Sequence, residues 1–235
     1  MAQASRVVMI SGAAGNLGSA VARAFAADGE HLVLVDLRSD ALELCAAALQ
    51  GAEVLPAPTD LLQQTSAQAA VDAALARFGG IDVVCNLAGG FHMGEAVHET
   101  SDATWEQMMG LNARTLLNLT RAAVPVLLRQ GGGQVVNVAA GAAVRGGAHM
   151  GAYAAAKSVV MRLTESMAGE LREHGINVNC VLPSIIDTPE NRRAMPDADP
   201  SRWVAPDELA QVIRFLASPA ARAVHGAAIP VSGLS

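Results

Sequence analysis

Two side chains stand out by type and spacing. The chain carries a single tyrosine, Tyr153, and a single lysine, Lys157, against fifteen arginines. On a helix, residues four apart share one face and their side chains can meet at one place. A phenol beside an ammonium is a usable acid and base, because the positive charge favours the phenolate and is expected to lower its pKa. A half-buried tyrosine above a surface lysine would show the same spacing. This chain, however, draws almost all of its positive charge from arginine. Chance would set its only lysine four residues after its only tyrosine in roughly one chain of two hundred. Arginine, with a much higher pKa and a planar fork, cannot replace a compact amine that donates to a sugar hydroxyl and tunes a phenol. Proton transfer is the expected chemistry at this pair.

A second constellation lies near the N-terminus, where Ser11-Gly12-Ala13-Ala14-Gly15-Asn16-Leu17-Gly18 follows a strand pattern and opens a helical one. Glycines permit a sharp turn and let backbone N–H groups approach a pyrophosphate at a helix N-terminus. Gly12, Gly15, Asn16, Leu17 and Gly18 are therefore candidate cofactor ligands, although an ordinary strand–helix loop can be glycine-rich too. Asp36 ends the next strand pattern, eighteen residues past Gly18. An acidic group there accepts from the adenine ribose hydroxyls and repels a 2′-phosphate, so NAD(H) is expected over NADP(H). Asp36 as a turn or cap residue is the alternative, and Arg38 stands close enough to pull the preference the other way. Asp60 and the run Asn86-Leu87-Ala88-Gly89 follow the third and fourth strand patterns. Taken alone, Asp60 reads as a helix cap and the Ala-Gly pair as a tight turn. Together with the glycine turn, Asp60, Asn86, Ala88 and Gly89 would floor and wall an adenosine pocket.

Such groups need a frame that gathers strand ends at one edge. Apolar runs at Arg6–Ser11, His31–Asp36, Glu53–Ala57, Ile81–Asn86, Gln134–Ala139, Asn177–Leu182 and Ala227–Val231 read as strands buried on both faces. Helical patterns fill the gaps: Asn16–Ala27, Asp40–Leu49, Gln63–Phe78, Asp102–Arg129, Met150–Glu173 and Asp207–Leu216. The alternation predicts an α/β fold, a single doubly wound Rossmann-type domain over residues 1–235 with a seven-stranded, mostly parallel sheet and helices on both faces. The helix at 102–129 is apolar on more than one face, which suggests burial against a neighbour as well as the sheet. An aperiodic stretch at about 184–206 follows a strand's C-terminal end, where open α/β sheets bind ligands, and is the expected substrate loop.

Composition narrows the function classes. A formal net charge of −6 and the lack of any Lys/Arg run argue against a nucleic-acid surface. Cys45, Cys85 and Cys180 have neither metal spacing nor a disulfide framework, which fits a reducing compartment and predicts no metal. The apolar run Val7–Ile10 is too short for a signal segment or a span, so a cytoplasmic protein with no membrane partner is expected.

The glycine turn, Asp60, Asn86–Gly89, Asn112, Tyr153-x-x-x-Lys157 and Pro183…Thr188, in order over nearly the whole chain, resemble the short-chain dehydrogenase/reductase family. The resemblance implies a hydride-transferring oxidoreductase in which Tyr153 passes the proton and Lys157 binds the nicotinamide ribose. Asn112 would hold a water linking Lys157 to solvent. Thr188 would bond the carboxamide, with Pro183 at the same cofactor edge. Family members pair the helices at 102–129 and 150–173 in dimers and tetramers, so a homodimer or homotetramer is implied. Asn16 departs from the family's usual second glycine, Leu87 from an Asn and Ser184 from a Gly. Position 140, thirteen residues before Tyr153, is Ala where the family has its catalytic Ser. The quinonoid dihydropteridine reductase branch shares that alanine and is similar around Ala88–Phe91 and from Asp187 to Trp203. The expected substrate is thus a small carbonyl or alcohol, or a quinonoid ring. A non-catalytic NAD-binding sensor is the alternative of another class.

Overall fold

The computed structural model describes residues 5–235. Its seven strands are β1 (Val7–Ser11), β2 (His31–Asp36), β3 (Val54–Pro58), β4 (Val83–Asn86), β5 (Gly133–Val138), β6 (Ile176–Pro183) and β7 (Ala228–Val231). They form one sheet in the order β3-β2-β1-β4-β5-β6-β7, and every pairing is parallel. The expected Rossmann-type sheet is therefore present, with strand limits close to those read from the apolar runs. Val8, Met9, Ile10, Val33 and Leu34 are fully buried, as a strand covered on both faces requires.

Two apolar layers sandwich the sheet. Helices α3 (Gln64–Phe78), α5 (Thr115–Gln130) and α6 (Gly151–Leu171) supply one, through residues such as Val71, Leu119 and Val160. Helices α1 (Asn16–Ala27), α2 (Ser39–Ala48) and α8 (Pro206–Leu216) supply the other, through Phe25, Leu42 and Ile213. The order of the strands changes direction beside β1, so the exits of β1 and β4 diverge into a crevice at the sheet's C-terminal edge.

Two regions differ from the sequence pattern. The continuous helix expected over 102–129 is divided: α4 (Asp102–Met109) passes through a π-helical turn at Gly110–Arg114 before α5 begins. Its second apolar face is met in part within the chain, since Met108 of α4 is buried with Ala152 and Ala156 of α6. The stretch 184–206 is not structureless either. Thr188 caps a short helix α7 (Pro189–Ala194), accepting from the Asn191 N–H, and Ile186 bridges Val204. Thr followed by Pro is a helix-start signal that periodicity alone overlooks, because the helix is too short to show a period.

Candidate functional site

At the β1 exit, backbone geometry dominates. Gly12 takes φ +65°, and a methyl on it would lie 3.0 Å from the backbone of Ala88 in the turn after β4. A methyl on Gly18 would collide with the Gly12 carbonyl oxygen, well inside any tolerable contact. Both glycines let α1 and the β4 turn close on the loop. The first-turn amides of α1, those of Asn16, Leu17 and Gly18, have no intrahelical acceptor, and Gly15 at the cap offers no side chain. Free N–H groups at a helix N-terminus suit a phosphate group. Ser11, at the end of β1, was not singled out by the sequence pattern, yet its hydroxyl accepts from the N–H groups of Leu87 (3.0 Å) and Ala88 (3.1 Å) and so shapes the second wall.

The acidic candidates differ in availability. Asp36 accepts from the Ala14 N–H at 3.2 Å and from the Arg38 N–H at 3.2 Å, one bond to each oxygen, which leaves lone pairs on both. The Arg38 guanidinium approaches the same carboxylate at 3.5 Å and donates to the Ala14 carbonyl at 3.2 Å. Asp60 Oδ1 accepts from the Leu62 N–H at 2.9 Å, ahead of α3. Asn86 is buried and points along the sheet, donating to Asn137 Oδ1 at 2.8 Å while its own Oδ1 has no partner. Pro183 ends β6, buried, and Thr188 spends one hydroxyl lone pair on its cap. Asn16 reaches across to α7, donating to Glu190 at 2.8 Å. The glycine cradle, the free α1 amides and Asp36 fit a dinucleotide.

The chemical end is built from side chains. Tyr153 and Lys157 both lie in the first two turns of α6. Lys157 is buried, and its Nζ donates to the Val138 carbonyl at the end of β5 at 2.9 Å. Burial lowers its pKa to about 8. Tyr153 moves the opposite way from the sequence expectation: burial pushes the phenol up to about 12. The amine that was to lower it is engaged by Val138 and is itself weakened by desolvation. Phe91 completes the enclosure, its ring edge-to-face with Tyr153 at a centroid distance of 4.9 Å.

Asn112 sits in the π turn, buried, and its amide is heavily used. Its Nδ2 donates to the Gly90 and Met108 carbonyls, each at 3.0 Å, and its Oδ1 accepts from the Gly90 N–H at 3.1 Å. The side chain therefore holds the turn after β4. A methyl on Gly89 would meet both Asn112 Oδ1 (2.7 Å) and Lys157 Nζ (3.2 Å), so these three residues share one small space. Ala140 is buried at the β5 exit and brings no hydroxyl. The structure thus gathers Lys157, Asn112 and Gly89 at one point, with Tyr153 about one turn earlier on α6, and Gly12–Gly18 with Asp36 at another. Asp60 and Asn86 lie at the same sheet edge, each with one side-chain atom bonded locally. Phe91 stands out in the sequence only as part of a resemblance; an exposed aromatic in a glycine-containing loop carries no periodic signal.

The chain matches the family described as short chain dehydrogenase over residues 6–199. Levodione reductase of Leifsonia aquatica is 32% identical, covering 97% of this chain and 93% of that protein. A crystal structure of levodione reductase superposes with a TM-score of 0.91, covering 97% of this chain and 96% of that one. L-sorbose reductase from Gluconobacter frateurii, complexed with NADPH and L-sorbose, is 28% identical with a TM-score of 0.90, covering 97% and 95%. An NAD+-bound xylitol dehydrogenase is 25% identical with a TM-score of 0.91, covering 97% and 98%. The chain belongs to the short-chain dehydrogenase/reductase family. It is an oxidoreductase of the kind that uses a nicotinamide cofactor on small molecules.

Proposed function

We propose that the chain is an NAD(H)-preferring oxidoreductase that interconverts a small carbonyl compound and its alcohol, with Tyr153 as the proton donor. The observation that carries the reading is the placement of the only phenol and the only lysine amine on one stretch of α6, beside the exits of β4 and β5. A nicotinamide dinucleotide, when bound, supplies the hydride. The amides of Asn16, Leu17 and Gly18 hold its phosphates and Asp36 accepts from its adenine ribose. Gly12, Ala88 and Gly89 let it approach the backbone, and Pro183 and Thr188 border its nicotinamide end. Lys157 donates to the second ribose, and Tyr153 gives its proton to the substrate oxygen. Asn112 keeps Gly90 and Lys157 in register.

Similarity to levodione reductase and L-sorbose reductase supports a carbonyl/alcohol pair. Solved relatives hold either NAD+ or NADPH, so the preference rests on the Asp36 carboxylate. A quinonoid ring as substrate, as in the dihydropteridine reductase branch, is favoured by Ala140, since such a ring does not need a second donor at a developing alkoxide. We place the protein in the cytoplasm as one domain over residues 1–235, with its substrate loop at about 184–206, and as a homodimer or homotetramer through α4, α5 and α6. Among the described residues no helix is long and apolar enough to cross a membrane.

The test is NADH oxidation against a panel of ketones, quinones and quinonoid dihydropterin, with fluorescence titration of NADH. Binding with turnover of one class is expected. Tight binding with no turnover of any would replace the enzyme by a sensor, and a monomer in sedimentation at micromolar concentration would remove the interface.

A further inference from the structure

We infer that Phe91 is a specificity-determining residue, a fixed aromatic platform that selects flat, conjugated cyclic carbonyl compounds. The inference rests on the hydride-transfer reading above and adds the class of substrate. Phe91 is 60% exposed while its ring packs edge-to-face with Tyr153. The loop has anchors on both sides. Before Phe91, both the N–H and the carbonyl of Gly90 are bonded to Asn112. After it, His92 pairs with Glu95 at 2.9 Å, and Glu95 also accepts from Thr104 of α4 at 3.0 Å. The Gly94 N–H donates to the His149 carbonyl at 2.9 Å. His149 holds that position with φ +61°, a conformation side chains seldom adopt, four residues before Tyr153. The exposed ring thus sits in a loop tied on both sides, edge-to-face with Tyr153.

The surroundings decide what such a ring is for. Ala139, Ala140 and Gly141 at the β5 exit offer no hydroxyl. The proposed donor to a substrate oxygen is the Tyr153 phenol, and one hydrogen bond fixes a direction but not a rotation. Orientation must come from shape. An aromatic ring supplies it to another flat ring through stacking and apolar burial, and supplies little to a flexible aliphatic ketone. In the reduction, hydride from reduced nicotinamide adds to the carbonyl carbon, forming a C–H bond and oxidising the nicotinamide. The C=O π pair moves to oxygen, which takes the Tyr153 proton, and the phenolate regains a proton from solvent.

The test compares two vicinal diones, flat indole-2,3-dione and flexible hexane-2,3-dione, with NADH. The wild type should show the higher kcat/KM for indole-2,3-dione. Phe91→Ala should lower that value about three- to tenfold and leave hexane-2,3-dione within about twofold, and Phe91→Trp should keep the preference. Hexane-2,3-dione turnover also reports that the variant is folded. Calorimetric binding of indole-2,3-dione with saturating NAD+, where no hydride is available, should weaken by the same factor in Phe91→Ala. Equal loss on both diones, no loss on either, or a wild-type preference for the flexible one overturns the role of Phe91 and leaves the hydride-transfer reading standing. Failure of NAD+ to bind, or reduction of neither dione, sinks that reading and this inference with it.

Discussion

The two ends of the crevice are made of different material. At the glycine turn, the proposed recognition relies on backbone amides and on the absence of Cβ atoms at Gly12 and Gly18. At α6, the proposed chemistry hangs on single side-chain atoms whose proton affinities are displaced by burial, upward for Tyr153 and downward for Lys157. The first end should tolerate changes of side chain that add no bulk to its glycines. The second should fail when one atom is removed even if packing survives.

The largest effect is expected at the side-chain end. Tyr153→Phe keeps the ring against Phe91 and removes the proton, so turnover should drop by about 10²–10⁴-fold with NADH affinity nearly unchanged. Full activity in that variant would dissolve the contrast. At the backbone end, Gly18→Ala should destabilise the fold by about 1–3 kcal/mol through overpacking against Gly12, read as a lowered Tm together with weakened NADH binding. If the Gly18→Ala protein were as stable as the parent and still bound the cofactor, the turn would yield more easily than its contacts imply.

A third measurement separates the two shifted groups by pH. With its pKa at about 8, Lys157 is an ammonium below that pH, and kcat/KM should fall as pH rises through it. Tyr153, at about 12, stays protonated throughout the window. Lys157→Arg should abolish the inflection. The stability sign is opposite to the activity sign. The native amine releases its proton at about 8 and the unfolded one near 10.5, so the unfolded chain binds more protons between these values and the protein gains stability as pH rises there. Smaller effects remain. Asp36→Ala should narrow the NADH-over-NADPH gap by about fivefold, the worth of one partly screened charge; equal affinities in the wild type would assign the pocket to Arg38. Ala140→Ser adds a donor at little volume and should raise hexane-2,3-dione reduction by a few-fold at most, and a large loss on both diones would show that position 140 has no room for it.

Much of the frame was legible, because a strand buried on both faces leaves an unbroken apolar run and seven such runs appear. Gly12–Gly18 and the Tyr153/Lys157 pair were legible for a similar reason: local spacing encodes them. What escaped depends on contacts far apart in sequence. The pattern at 102–129 is helical throughout, so nothing local reveals that Asn112 bonds Gly90 and opens a π turn. Asp60 and Asn86 also carry local bonds that no spacing shows, Asp60 Oδ1 to the Leu62 N–H and Asn86 Nδ2 to Asn137. The phenol's pKa moves up and not down because burial sets it, and spacing tells that an amine is near but not how deeply the phenol is buried.

The π turn at Gly110–Arg114 also sets the phase of the helices on either side. Each residue advances an α-helix by about 100°, so one residue more in a turn rotates everything beyond it by about a quarter of a revolution. That rotation lets α4 aim Met108 at α6 while α5 aims Leu116 and Leu119 at the sheet. Deleting a single residue there would mend the helix and misalign its halves, turning either Met108 or Leu119 toward water. The segment behaves as a gear tooth: the local irregularity is what keeps the two regular stretches engaged with different partners.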